Sequence, residues 1–136
     1  MALAAPIFLA GCGASVSDPR RAAPVSPSPD ALVVPVRTTD FAFDPPLLRM
    51  PAGRLVRMEL TNVGKIDHDV MLHDLPVSGV RFPPGQHMHG DYIAAHASTE
   101  RVAWVEFIPG AAGTYQVSCS VMGHREAGMA GTLIVE

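Results

Sequence analysis

The 136-residue chain is poor in aromatic side chains (6%) and in charge (17%), and it holds two cysteines and one tryptophan. Two cysteines allow one disulfide at most, which excludes a fold built on a disulfide framework. With 10 basic against 13 acidic side chains and a net charge of −3, a basic nucleic-acid footprint is excluded as well. No apolar run reaches the roughly 18 residues that a membrane-spanning helix needs. No window of a dozen residues shows a capped 3.6-residue apolar period, and no internal repeat is visible. What remains is a chain long enough for one domain, 48% hydrophobic, with six histidines and seven methionines. Such a composition is globular, and it is well stocked with soft and borderline metal ligands.

The first ten residues are uncharged and end in Leu9-Ala10-Gly11-Cys12. This stretch resembles the lipobox of bacterial lipoproteins, in which a signal is cut before a cysteine that then carries lipid. The resemblance implies a signal segment over 1–11 and an anchor on Cys12. No Lys or Arg precedes Cys12, so the expectation includes a natural start upstream. Residues 12–31 are rich in Pro, Ser and Ala and too poor in apolar side chains to fold alone. Stiffened by proline, they would form a tether reaching roughly 60 Å when extended.

From residue 32 the pattern changes to short strands between turns. Leu32–Val36 is β-branched, and Pro35 within it predicts a sheet edge. Asp44-Pro45-Pro46 and Pro51-Ala52-Gly53 are turns around the short run Leu47–Met50. Val56, Met58 and Leu60 alternate with Arg57, Glu59 and Thr61, a strand with one wet face. Further strands are predicted at His68–His73, Val102–Phe107, Tyr115–Cys119 and Thr132–Glu136, which together point to an antiparallel sandwich or Greek-key barrel.

Near the C-terminus Cys119, His124 and Met129 stand at intervals of five, in a loop punctuated by Gly123, Gly128 and Gly131. Glycines let such a loop fold back so that its side chains converge. Two imidazoles and a thiolate with a weak axial thioether make a blue-copper site, whereas zinc rarely takes Met. The second imidazole must come from elsewhere. His68, opening a strand after Asn62-Val63-Gly64-Lys65-Ile66-Asp67, is the best candidate.

Asn62, Gly64, His68-Asp69, Gly113-Thr114-Tyr115 and the Cys119/His124/Met129 loop resemble a cupredoxin, the family of plastocyanin, azurin, amicyanin and rusticyanin. The resemblance covers 32–136. It implies an all-β Greek-key sandwich holding one type 1 copper ion, with His68, Cys119 and His124 equatorial and Met129 axial. It also implies an electron port at His124, inside an apolar patch of Met122, Gly123, Ala127 and Gly128 with Arg125 and Glu126 at its rim.

Two positions depart from the family's habit: Met122 stands where proline is common, and Asp69 where asparagine is. The Asp69 side chain is expected to brace the ligand loop through Ser118 or Ser120.

The stretch between Leu75 and Glu100 fits no clean strand. Its His87, His89 and His96, with Met88, Asp91 and His73, offer a second metal site as an expectation.

The function implied is a membrane-tethered single-electron carrier in the bacterial cell envelope, outside the cytoplasm and held by lipid on Cys12. It would be a monomer meeting redox proteins such as cytochromes or copper oxidases. The rival is a copper-trafficking or copper-storage lipoprotein. An enzyme of the nitrite reductase or multicopper oxidase kind needs a second such domain and is not expected. A terminal-oxidase binuclear centre needs a second cysteine beside Cys119. An ionised Asp69 beside the ligands favours the cupric state, so Asp69→Asn is expected to raise the reduction potential in voltammetry. An unchanged potential would remove that role.

Overall fold

A computed structural model describes residues 25–84, 86 and 92–136. The expected signal segment 1–11, Cys12, the linker as far as 24, and His87, Met88, His89 and Asp91 lie outside the described residues.

Among the described residues the strands are β1 (Leu32–Thr39), β2 (Ala42–Asp44), β3 (Leu47–Met50), β4 (Val56–Asn62), β5 (His68–Leu72), β6 (Val77–Arg81), β7 (Ile93–Ala97), β8 (Val102–Pro109), β9 (Gly113–Ser118) and β10 (Ala130–Val135). They form two sheets, β2-β1-β4-β8-β6 and β3-β10-β9-β5-β7. The fold is an all-β sandwich of two five-stranded sheets.

The inner face of β4 follows the predicted alternation. Val56, Met58 and Leu60 from β4, Val105 and Phe107 from β8, Val70 and Leu72 from β5, and Leu133 and Val135 from β10 meet in one buried core. Asp44-Pro45-Pro46 carries the chain from the first sheet to the second.

The sheets are mixed rather than purely antiparallel. β1 runs parallel to β4 over seven pairs, from Leu32↔Val56 to Thr38↔Asn62, and β3 runs parallel to β10. Crossing between sheets after β2 brings β3 alongside the C-terminal strand in the same direction, which local patterning does not reveal. Pro35 lies in an inner strand, yet β2 pairs only with Arg37–Thr39 of β1. The side of β1 at Pro35 is therefore open, and the ring removes no ladder bond there.

The stretch judged to fit no strand supplies two, β6 and β7. Gly79 in β6 and the alanines of β7 give a weak strand signal. Their pairing with β8 and β5 decides their conformation.

The outer face of the first sheet holds a correction to the expected wet face of β4. Arg57 and Glu106, paired across β4 and β8, are 3% and 1% exposed. Residues 25–28, the end of the predicted tether, lie over them. The Ser28 backbone N–H donates to Glu106 Oε1 at 2.9 Å and its hydroxyl to Oε2 at 2.7 Å. Arg57 donates to the Val25 carbonyl at 2.6 Å, and Arg81 donates to Glu106 Oε2 at 2.9 Å. The Arg57 guanidinium also lies 4.1 Å above the Trp104 ring, a cation–π contact.

Burial alone would raise the Glu106 carboxyl pKa. The Ser28 donors, with Arg81 and Arg57, outweigh it and hold the group below its ordinary value of 4.5. Stability from this network is therefore present above about pH 4.5 and is lost as pH falls through the folded value. Ser28→Ala leaves a buried carboxylate short of one donor and is expected to cost about 1–2 kcal/mol in urea unfolding at pH 7. The loss should shrink below pH 4. Equal stability of variant and parent at pH 7 would show that the segment rests on the sheet without holding it.

Candidate metal centre

His68 opens β5, while Cys119 begins the loop joining β9 to β10 and His124 sits at its middle. All three are buried, and their ligand atoms lie within 4.8 Å of one another. Cys119 Sγ is 3.4 Å from His124 Nδ1, and the two imidazole centroids are 4.9 Å apart.

The loop closes on itself through its backbone. The Cys119 N–H donates to the Met129 carbonyl at 3.3 Å, and the Met129 N–H donates to the His124 carbonyl at 2.9 Å. Met129 is fully buried within the same cluster as Cys119. Gly123 (φ +83) and Gly128 (φ +99) hold the left-handed backbone that the reversal requires. The structure thus brings the predicted Cys119, His124 and Met129 onto one loop and sets His68 beside them.

The donor set fits a metal by what it leaves unmatched. His68 is 0% exposed, and among the described residues neither of its ring nitrogens has a hydrogen-bond partner. An imidazole buried with both nitrogens idle is costly, and a metal ligated through one nitrogen removes much of that cost. A thiol, two imidazoles and a thioether match copper.

Asp69 braces the site as expected, with Ser120 as its partner rather than Ser118. Its carboxylate accepts the Ser120 N–H at 2.7 Å and the Ser120 hydroxyl. Its backbone N–H points at Cys119 Sγ, 3.5 Å away. Ser118 instead bonds His73 Nε2 at 2.6 Å, and Tyr92 packs edge-on against the His73 ring.

His96 faces Asp69 in the β5–β7 register, four positions along the ladder from His73 and roughly 13 Å from it at strand spacing. These two histidines do not converge, and the other members of the expected second site lie outside the described residues.

Two residues that the sequence reading passed over reach the ligands from the turn between β1 and β2. Phe41 packs edge-on against His124, with ring centroids 5.1 Å apart. Asp40 Oδ1 lies 3.6 Å from His68 Nε2. Nothing in the spacing of residues 39–42 signals either contact, because both cross from one sheet to the other. His124 itself is 5% exposed, and the apolar surface beside it comes from Met122, at 96%, and Phe41, at 42%.

Burial pushes the Cys119 thiol above its usual pKa, against the pull of backbone N–H donors from Asp69 and Val121. Burial lowers His68, and the neighbouring His124 adds to that, while Asp40 partly offsets it. The imidazole is thus neutral and ready to ligate near pH 7, but the thiol still carries a proton that a metal must displace.

The chain matches a family model described as copper binding proteins of the plastocyanin/azurin family over residues 31–136. It is 31% identical over 109 residues to the copper-resistant cuproprotein CopI of Rubrivivax gelatinosus, an alignment covering 74% of this chain and 63% of that protein. The chain therefore spans less than two thirds of that relative's length. Among solved structures it resembles auracyanin B, with a TM-score of 0.63 and 25% identity over 82% of this chain and 94% of that one. It also resembles auracyanin A, a "blue" copper protein of Chloroflexus aurantiacus, with a TM-score of 0.60 and 22% identity over 78% and 99%.

Because the thiol proton must leave, copper affinity between pH 6 and 8 is expected to rise about tenfold per pH unit. Competition against a chelator of known proton affinity measures this. An affinity flat with pH would remove Cys119 from the ligand set.

Proposed function

The chain belongs to the plastocyanin/azurin family of copper-binding proteins, and from that premise we propose that it is a single-electron carrier rather than an enzyme. His68, Cys119, His124 and Met129 would hold the copper ion in this reading.

The observation that carries it is that the three nitrogen and sulfur donors stand within 4.8 Å of one another and are buried, with the loop bonded to itself on both sides. Cu(I) and Cu(II) favour different geometries. A ligand set held by the backbone yields to neither, so little moves when the electron does. Four protein donors also leave no open position of the kind that a catalytic metal keeps for its substrate.

The exposed Met122 and Phe41 beside His124 supply a small apolar face suited to brief docking of a redox partner. Leu9-Ala10-Gly11-Cys12 supports the further reading of a lipid-anchored protein in the bacterial cell envelope, outside the cytoplasm.

A second reading, copper handling, is favoured by the similarity to a protein named for copper resistance. One experiment separates the two. Cu(II) is added to the purified protein, its visible spectrum is recorded, and it is cycled between ascorbate and ferricyanide beside a Cu(I) chelator. A carrier gives an intense thiolate-to-copper band that returns in each cycle and is missing from Cys119→Ser. Loss of the copper to the chelator on the first reduction would favour copper handling. A colourless protein would end both readings.

A further inference from the structure

We propose that Asp40 is a positioning residue for the copper ligand His68, its carboxylate receiving the Nε2–H of that imidazole while Nδ1 is given to the metal. The inference rests on the assignment of His68 as a ligand.

The two ring nitrogens of His68 face different surroundings. Nε2 is directed at Asp40 Oδ1, 3.6 Å away, and Nδ1 is left for the metal. A neutral imidazole carries one proton, and ligation through Nδ1 places it on Nε2. That N–H is buried and, among the described residues, has no partner within hydrogen-bond reach. Asp40 Oδ1 is the acceptor that lies in front of it. A carboxylate behind a ligating histidine fixes its tautomer and its ring orientation and makes the nitrogen a stronger donor.

Asp40 is held for this task independently of the histidine. Its Oδ1 accepts the Lys65 backbone N–H at 2.8 Å, which ties the β1–β2 turn to the loop before β5. An aspartate carboxyl is an anion at neutral pH, so the group offers His68 a full negative charge.

Gly64 keeps the approach open. A Cβ at this position would stand 2.5 Å from Asp40 Oδ1 and 2.9 Å from His68 Nε2, closer than such contacts occur. The glycine of Asn62-Val63-Gly64 is thus required by the space between carboxylate and imidazole. The Asn62 side chain fixes it there by accepting the Gly64 N–H at 2.9 Å.

The next residue, Phe41, has a φ of +67, a backbone region that few non-glycine residues occupy. This conformation sends two consecutive side chains to the two histidine ligands, Asp40 to His68 and Phe41 to His124. The turn therefore acts as a clip over both imidazoles.

Copper affinity of the full chain would be measured separately for Cu(II) and Cu(I), by chelator competition, in the parent, Asp40→Asn, Asp40→Ala and His68→Ala. Asparagine keeps an oxygen for the Lys65 N–H and removes the charge; alanine removes both. Cu(II) affinity is expected to fall about 10- to 100-fold in Asp40→Ala and by less in Asp40→Asn. Cu(I) affinity should fall less than Cu(II) affinity in each, so that the reduction potential rises. The thermal midpoint of metal-free Asp40→Asn should equal that of the parent. A merely structural role would move the midpoint and weaken both oxidation states alike, and that outcome would overturn the proposal. Unchanged affinities in both Asp40 variants, with His68→Ala impaired, would also overturn it while leaving the site assignment intact. If His68→Ala binds copper as the parent does, the assignment of His68 fails, and the role of Asp40 with it.

Discussion

Everything at the ligand end of the sandwich depends on one junction, where the Asp69 backbone and carboxylate join β5 to the loop that follows β9. The two strands pair only through Met71↔Ser118 and Leu72↔Val117. Beyond that point the ladder stops, and the chain after Ser118 turns away to form the ligand loop. Asp69 takes over from the missing rungs. Its N–H points at Cys119 Sγ, and its carboxylate accepts both donors of Ser120. His68 is its neighbour in sequence, so the residue that delivers one ligand also fixes the position of another. A side chain without the carboxylate at 69 would lose both bonds to Ser120 and leave the backbone N–H at 69, aimed at Cys119 Sγ, as the link between the two elements here.

The site is the polar end of the hydrophobic core and not an addition to it. Cys119 and Met129 belong to the same buried cluster as Val70, Leu72 and Leu133, and His68 lies among the fully buried side chains. Burial therefore acts twice. It anchors the ligand loop by packing, and it keeps water from a thiol and an imidazole that then prefer their neutral forms. For a metal site the first effect is an advantage, because donors fixed by a packed core change little between oxidation states. The second sets a proton cost for loading the ion. That cost falls on the thiol alone of the two groups, since a lowered imidazole pKa leaves His68 unprotonated at neutral pH.

Much of this was legible in residue order, and what was not has identifiable reasons. Cys119, His124 and Met129 lie on one loop, so their spacing carried the site, and His68 opens a strand that the sequence also predicts. Asp40 and Phe41 left no trace because their meaning comes from the approach of the β1–β2 turn to the opposite sheet, which no local pattern encodes. Arg57 was misleading in the other direction. Period-2 alternation assigns it to solvent, and it is correct about its face of the sheet, which Glu106 shares. It cannot show that Val25–Ser28 return over that face and bury them. β7 was hidden by its composition, since Ile93-Ala94-Ala95-His96-Ala97 has one β-branched residue, and pairing with β5 supplies what propensity lacks.

The two carboxylates near the ligands reach them from opposite directions. Asp69 stands beside Cys119 and Asp40 beside His68, and each is oriented by a backbone N–H from another segment, that of Ser120 or of Lys65. A site that gains and loses one positive charge feels both. Burial of the donors in an apolar core favours the state of lower charge, the reduced one, whereas fixed negative charge favours the oxidised one. The two influences oppose each other, so the potential is a balance rather than the consequence of the four ligands alone. The balance is also unevenly screened. Asp69 is 6% exposed, whereas the Asp40 side chain is 37% exposed, so dissolved salt weakens the second far more than the first. Under the carrier reading, Asp69 would set a steady part of the potential. Asp40, at the surface beside Phe41, is the carboxylate that a docked partner would cover, and excluding water from that turn would strengthen its hold on His68.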